Sequence, residues 1–441
     1  MDFLRDDVKK LYVKFLSTSV LSALVVSVYA FVDTIAIGQS EGPLGTAAMA
    51  VIAPLYGLFA FFSTLCGIGG AVQMSKAKGE GNENKGNKYF TSSLFLMGAI
   101  TIVVWILLAL FHKPVFKFFG TNSEIMSYVM AYAKWMLFFF PAFIFPPSIG
   151  AFIRNDGNPN LVMTAVTVGG CINIFGDWFF VFPLKMGIRG AAIATVLGVL
   201  AQTFIMCIHF FTKKCKLKIV RPSLSQSRDI LLSIINIAKV GFGSGIVELG
   251  TVVIAILMNN QILKYGSTTE LAIYGVILTI FQLFAAIFSG VGQAIQPLVS
   301  SNFGAGNHHR NRQFWNMAFV TVIFLGLIFT LLGELFPVAI TKLFIDATSE
   351  VIQAAPGIFR LFFLLFIPAG ISVLSIYYLQ SIMCHKKAMV ISLMRGIVVS
   401  GMLILILPLF LRLTGIWIAL PTSELIVSVL CLFYIHKTMR K

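Results

Sequence analysis

Four acidic residues stand inside long apolar runs of this chain: Asp33, Asp177, Glu248 and Glu424. Most of the other Asp and Glu fall at the ends of such runs or between them. An ionisable side chain inside a bilayer is costly, so an acid kept there points to ion or proton handling. Asp33 and Asp177 each lie about five residues, roughly 7 Å of helix rise, inside the outer end of their runs. Asn173 precedes Asp177 by one helical turn, so the two share a face. Thr195 is again about five residues from the outer end of its run, and Tyr132 is about eight in. Two carboxylates, an amide and hydroxyls at a common depth suit a proton or a hard cation such as Na⁺. Acids placed close together raise one another's pKa, which favours proton carriage. The plainer alternative is that these groups only hydrogen-bond helices together. Glu248 and Glu424 lie near the middle of their runs, where Arg360 and Arg395 are available as structural ion-pair partners.

Other chemistries find no footing. There is no GxxxxGK[ST] loop to hold ATP phosphates, no HExxH and no GxSxG. The six cysteines show no CxxC and no metal-ligand spacing, and four of them fall in apolar runs. Neither a disulfide framework nor a zinc site is expected. The chain does not read as an enzyme.

The elements that must position these side chains are membrane helices. The 441-residue chain is 58% hydrophobic and 11% charged, against about 25% charged in a soluble domain. About 20 apolar residues cross a bilayer. Twelve such runs occur, at 12–37, 44–75, 89–111, 124–153, 161–182, 190–211, 233–260, 271–300, 316–337, 351–380, 389–411 and 415–435. The ten-residue alternation of a membrane barrel is absent. The first run is too long for the core of a cleavable signal and lacks an A-x-A-like site, so it reads as the first span.

The net charge of +16 would suggest nucleic acid in a soluble protein, but here it follows the positive-inside rule. With the N-terminus inside, 21 of the 33 Lys and Arg fall in cytoplasmic segments, 7 in external ones and 5 within spans. Both termini are therefore expected in the cytoplasm. The basic, polar stretch Thr212–Asp229 reads as a linker between two halves. The halves resemble each other: "GIGGAVQ" at Gly67–Gln73 matches "GVGQAIQ" at Gly290–Gln296, and "GIRGA" at Gly187–Ala191 matches "GIWIA" at Gly415–Ala419. "GEGNENKGNKYF" at Gly79–Phe90 and "GAGNHHRNRQFW" at Gly304–Trp315 add a third match in order. The expected organisation is a six-helix bundle at 1–211 carrying the cation site, a linker at 212–232 and a second six-helix bundle at 233–441. The repeats are parallel, and transporters built from such repeats carry their pathway between them.

Four stretches carry a resemblance to the multidrug and toxic compound extrusion family, in its prokaryotic branch. They are "FVDTIAIGQ" at Phe31–Gln39, "RNDGNPNLVM" at Arg154–Met163, "NIFGDWFFVFPLKMGIRGAAIAT" at Asn173–Thr195 and "GVGQAIQPLVSSNFGAGN" at Gly290–Asn307. The resemblance implies a twelve-helix, cation-coupled antiporter. It implies that Asp33, Asn173, Asp177 and Thr195, with Tyr132, bind the coupling cation. Those four would be the metal ligands if the ion is Na⁺, and Glu248 is a further candidate in the second half. Two positions depart from the family. Thr18 stands where members commonly carry a proline, and "GFG" at Gly241–Gly243 replaces a common Gly-x-Pro. Softer flexing at glycines and hydroxyls then takes the place of a proline-driven bend.

The reading is an all-α integral membrane protein of the cell membrane. It exports amphipathic, cationic organic compounds in exchange for H⁺ or Na⁺, needs no cofactor beyond that ion, binds lipid but no nucleic acid, and acts as a monomer. The alternative is a flippase for a lipid-linked sugar or phospholipid of the same broader fold.

Overall fold

The computed structural model describes residues 4–79, 82–212, 215–220, 227–346 and 348–439. Among these residues every regular element is a helix, as apolar surroundings require of a chain that must satisfy its own backbone. In chain order the α-helices are α1 (Val8–Ser63), α2 (Gly69–Gly79), α3 (Glu83–Phe118), α4 (Met126–Phe138) and α5 (Phe140–Asn155). Then follow α6 (Pro159–Val181), α7 (Gly187–Cys207), α8 (Ser227–Tyr265), α9 (Thr268–Gly304) and α10 (His308–Leu335). The last are α11 (Pro337–Phe344), α12 (Ser349–Phe363), α13 (Phe366–Ser381), α14 (His385–Leu393) and α15 (Val399–Met439). A π-helical turn, Thr64–Ile68, joins α1 to α2, and another, Met394–Val398, joins α14 to α15.

All twelve apolar runs fall on helices. Eight stretches among the described residues are long and apolar enough to cross a membrane, or nine when α4 and α5 count as one span bent by 59°. Phe31–Met74, with 44 residues, and Lys386–Thr438, with 53, are too long for one crossing each. Each is divided by a backbone break, at Gly42 (φ 63°), just before Pro43, and at Arg412 (φ 49°). With those divisions and α8, the twelve spans are accounted for. The faces left exposed are apolar: Val103, Ile106 and Leu110 on α3, Phe204 on α7, Leu409 and Phe410 on α15. A soluble protein does not present such stripes.

The chain forms two compact units, Met1–Ala50 with Leu257–Lys441, and Val51–Ile256. Its boundaries fall elsewhere than the expected 1–211, 212–232 and 233–441: the chain up to Ala50 groups with the later helices, and α8 as far as Ile256 groups with the earlier ones. In the first unit the start of α1 packs on the later helices: a Cβ on Gly290 would meet the Val20 backbone at 2.8 Å, and one on Gly38 would fall on the Phe344 carbonyl. Gln39 Nε2 donates to the Lys342 and Leu343 carbonyls at 2.8 and 2.9 Å, and Tyr12 Oη to Thr321 Oγ1 at 2.7 Å. In the second unit α8 leans on the π-helical turn and α2. A Cβ on Gly69 would meet the Ile237 carbonyl at 2.5 Å, and one on Gly241 would strike the Leu65 backbone. Small residues permit such backbone approach where no hydrophobic effect drives helices together. The side chain of Thr18 and the surroundings of Gly243 lie outside the described residues.

The linker is not a bare tether where it is described. Residues 215–220 are irregular and lie against α3, where Lys218 N–H donates to Asn87 Oδ1 (3.3 Å) and Val220 N–H to Thr91 Oγ1 (3.0 Å).

Candidate functional site

The second unit holds a buried polar cluster built on α6 and α7. These helices approach closely because their contact is lined by small residues. A Cβ on Gly198 would meet the Gly169 carbonyl at 2.6 Å, and one on Gly176 would meet Ala194 Cβ at 2.8 Å. That approach brings Asn173 of α6 to Thr195 of α7, with Asn173 Nδ2 donating to Thr195 Oγ1 over 3.3 Å. The Tyr132 hydroxyl of α4 lies 3.1 Å from the same oxygen. Tyr132 is fully buried, and its hydroxyl is 2.8 Å from that of Tyr56, beyond the Gly42 break in α1. Four helical segments therefore contribute to one relay of amide and hydroxyl groups.

Asp177 stands one turn beyond Asn173 on α6 and has no solvent exposure. Asn173 Oδ1 is buried and accepts no hydrogen bond among the described residues. A buried carboxylate is held charged only with donors or a cation beside it, and otherwise keeps its proton. The arrangement offers oxygen ligands of the kind a proton or a hard monovalent cation takes.

Asn173, Thr195 and Tyr132 are brought together as expected, with Asp177 on the same helix. Asp33 belongs to the first unit. It is buried on α1 beside Thr34, whose hydroxyl is 3.1 Å from that of Thr279 on α9. Glu248 is half-buried on α8 and shares no hydrogen bond with the Asn173–Thr195 cluster among the described residues. Tyr56 was missed by depth-matching of acids. Its signal was a tyrosine deep in the run 44–75.

The charged residues of the first unit behave differently. Arg395, in the π-helical turn, donates through Nε to Glu424 Oε1 of α15 at 2.5 Å. Ser400 Oγ donates to the Arg395 carbonyl and lies 2.7 Å from Ser423 Oγ. In the repeat, Ser423 falls at the position of Thr195, so the same place in each half carries a hydroxyl in a polar cluster. Arg360 instead makes a largely exposed pair with Glu334 at 3.7 Å.

Fold and site together define a polytopic α-helical membrane protein with a polar cluster held inside apolar surroundings. The MatE family model matches residues 19–179 and 244–406, and the chain belongs to that family. The multidrug export protein MepA of Staphylococcus saprophyticus is 22% identical over 422 residues, covering 94% of this chain and 91% of that protein. A multidrug resistance MATE family transporter in an inward-facing conformation superposes with a TM-score of 0.84 at 19% identity, covering 94% of each chain. The MATE multidrug transporter DinF-BH, solved in complex with a small-molecule ligand, superposes at 0.73 with 25% identity, over 99% of this chain and 98% of that one.

Proposed function

We propose that this chain is a secondary active antiporter of the cell membrane, exporting amphipathic, cationic organic compounds in exchange for H⁺ or Na⁺. The observation that carries the reading is the Asn173–Thr195–Tyr132 cluster with the wholly buried Asp177 on the same helix. Similarity to MepA, a multidrug export protein, and to a MATE multidrug transporter solved with a bound small molecule supports drug-like substrates.

The mechanism rests on the cost of charge in a low dielectric. When a proton or Na⁺ arrives, Asp177 gains a neutralising partner, and Asn173 Oδ1 and the Thr195 and Tyr132 hydroxyls complete its shell. When the ion leaves, the acid must find other donors or open to water. The energy of that difference drives alternating access: cation entry from outside favours release of the organic solute there. Asp33, buried in the first unit, supplies a second acid whose charge state changes in the same cycle. Both termini lie in the cytoplasm, and the transporter works as a monomer in contact with lipid.

A phospholipid or lipid-linked sugar flippase fits less well. It would hold phosphate with several buried cations, but Lys134 and Arg360 are exposed and Arg395 is engaged by Glu424. Purified protein in proteoliposomes, loaded with a fluorescent organic cation and given a proton or a sodium gradient separately, tests the proposal. Dye movement driven by one of these gradients supports it. Dye movement indifferent to both, or transfer of labelled phospholipid between leaflets, contradicts it.

A further inference from the structure

Where α5 ends and α7 gives way to the linker, three metal-ligating side chains meet within the second unit. Asp156 lies in the loop between α5 and α6, His209 in the 3₁₀ turn Ile208–Phe211 after α7, and Cys215 at the head of the irregular segment 215–220. Their ligand atoms all lie within 4.8 Å of one another, and His209 Nε2 is 3.0 Å from Asp156 Oδ2. The imidazole and the carboxylate are buried, and the thiol is half-buried and reduced. None of these residues belongs to the cation cluster of α6 and α7.

We propose that Asp156, His209 and Cys215 bind a divalent transition metal, with Zn²⁺ as the best fit. One thiolate, one imidazole and one carboxylate make a borderline donor set, which selects Zn²⁺ over the oxygen-seeking Mg²⁺ and Ca²⁺. Ligand bonds of about 2.0–2.3 Å place tetrahedral donor atoms roughly 3.4–3.8 Å apart. The His209–Asp156 contact need only open slightly, and the thiol need only close in. Water takes the fourth position.

The surroundings suit such a site. Lys78 Nζ lies 3.3 Å from Asp156 Oδ1 and occupies the carboxylate's other oxygen. Lys216 N–H donates to Oδ2 at 2.8 Å. The Asn158 amide is 3.3 Å from His209 Nδ1. Turned over, its oxygen accepts Nδ1–H and leaves Nε2 for the metal, the outer-shell arrangement metal-bound histidines generally have. Among the described residues the Cys215 thiol has one hydrogen-bond partner, the Leu217 carbonyl at 3.7 Å. The framework is independent of the metal: Lys218 and Val220 are held to α3, and Thr212 Oγ1 donates to the His209 carbonyl at 2.8 Å. A bound metal would pin the α5–α6 loop, the end of α7 and the linker at one point.

The test is titration of metal-stripped, full-length protein in detergent with Co²⁺, followed by displacement with Zn²⁺. The expected result is one Co²⁺ per chain, with a thiolate-to-cobalt charge-transfer band, tetrahedral d–d bands and a higher melting temperature. Cys215→Ala should remove the charge-transfer band. His209→Gln, which still offers Asp156 a hydrogen bond, should weaken binding at least about tenfold. Cys171→Ala, at an exposed cysteine elsewhere, should leave the spectrum unchanged. Absence of the band, or a band that survives Cys215→Ala, would overturn the proposal. Should His209→Gln lower the metal-free melting temperature, Cys215→Ala still decides, since it keeps the small apolar side chain packed against the neighbouring core and removes only the sulfur.

Discussion

The Asn173 amide donates to the Thr195 hydroxyl over 3.3 Å and so joins α6 to α7 at the oxygen that also meets the Tyr132 hydroxyl. A neutral hydrogen bond of this kind contributes about 1 kcal/mol net, too little to explain the placement of a carboxylate one turn away. In the proposed transport cycle the cluster is a set of oxygen ligands held in register.

Tyr132→Phe tests that register. It removes the hydroxyl that faces both Thr195 and Tyr56 and keeps the buried ring. Stability should fall by about 1–2 kcal/mol, while the concentration of coupling cation needed for half-maximal transport rises. Melting curves in detergent beside cation titrations of transport measure the two effects. An unchanged cation dependence would remove Tyr132 from the site.

Helix approach is the second target. Gly198→Ala puts a methyl group 2.6 Å from the Gly169 carbonyl, and overpacking should destabilise by about 1–3 kcal/mol and impair transport. Gly98→Ala on α3 has nothing within 4 Å and should be neutral or slightly stabilising. Equal effects of the two substitutions in melting and transport assays would mean that the α6–α7 contact does not position the site.

In the Arg395–Glu424 pair the carboxylate is buried and the guanidinium part-buried, so removing the arginine strands Glu424 away from water. Arg395→Met should destabilise by up to about 3–5 kcal/mol and Glu424→Gln by less, because the arginine keeps some access to water, whereas Arg395→Met combined with Glu424→Met should recover most of the loss. A double-mutant cycle of melting measurements checks this. Additive losses would show that the two charges do not act as a pair.

The helices were legible because each apolar run is long enough to span and too long to be anything else, and Asn173, Thr195 and Tyr132 were legible from matched depth. Other features depend on contacts that no run or spacing announces. The packing of α1 with the later helices follows from backbone approach at Gly38 and Gly290, and glycines are common throughout membrane helices. The Asp156–His209–Cys215 group joins residues from a loop, a 3₁₀ turn and a linker whose sequence separations, 53 between Asp156 and His209 alone, match no metal motif. Of the two intramembrane arginines, only the structure separates Arg395, part-buried against Glu424, from Arg360, exposed beside Glu334.

The central claim is that buried acids couple ion entry to solute export, and Asp177→Asn and Asp33→Asn test it most directly. Asn matches Asp in shape and still hydrogen-bonds, but it cannot change charge. The measurement is gradient-driven export of an organic cation in proteoliposomes, with proton and sodium gradients applied separately and a melting curve for each variant. The account predicts that both variants melt within a few degrees of the unaltered protein and lose gradient-driven export. Full gradient-driven export by both variants would contradict it.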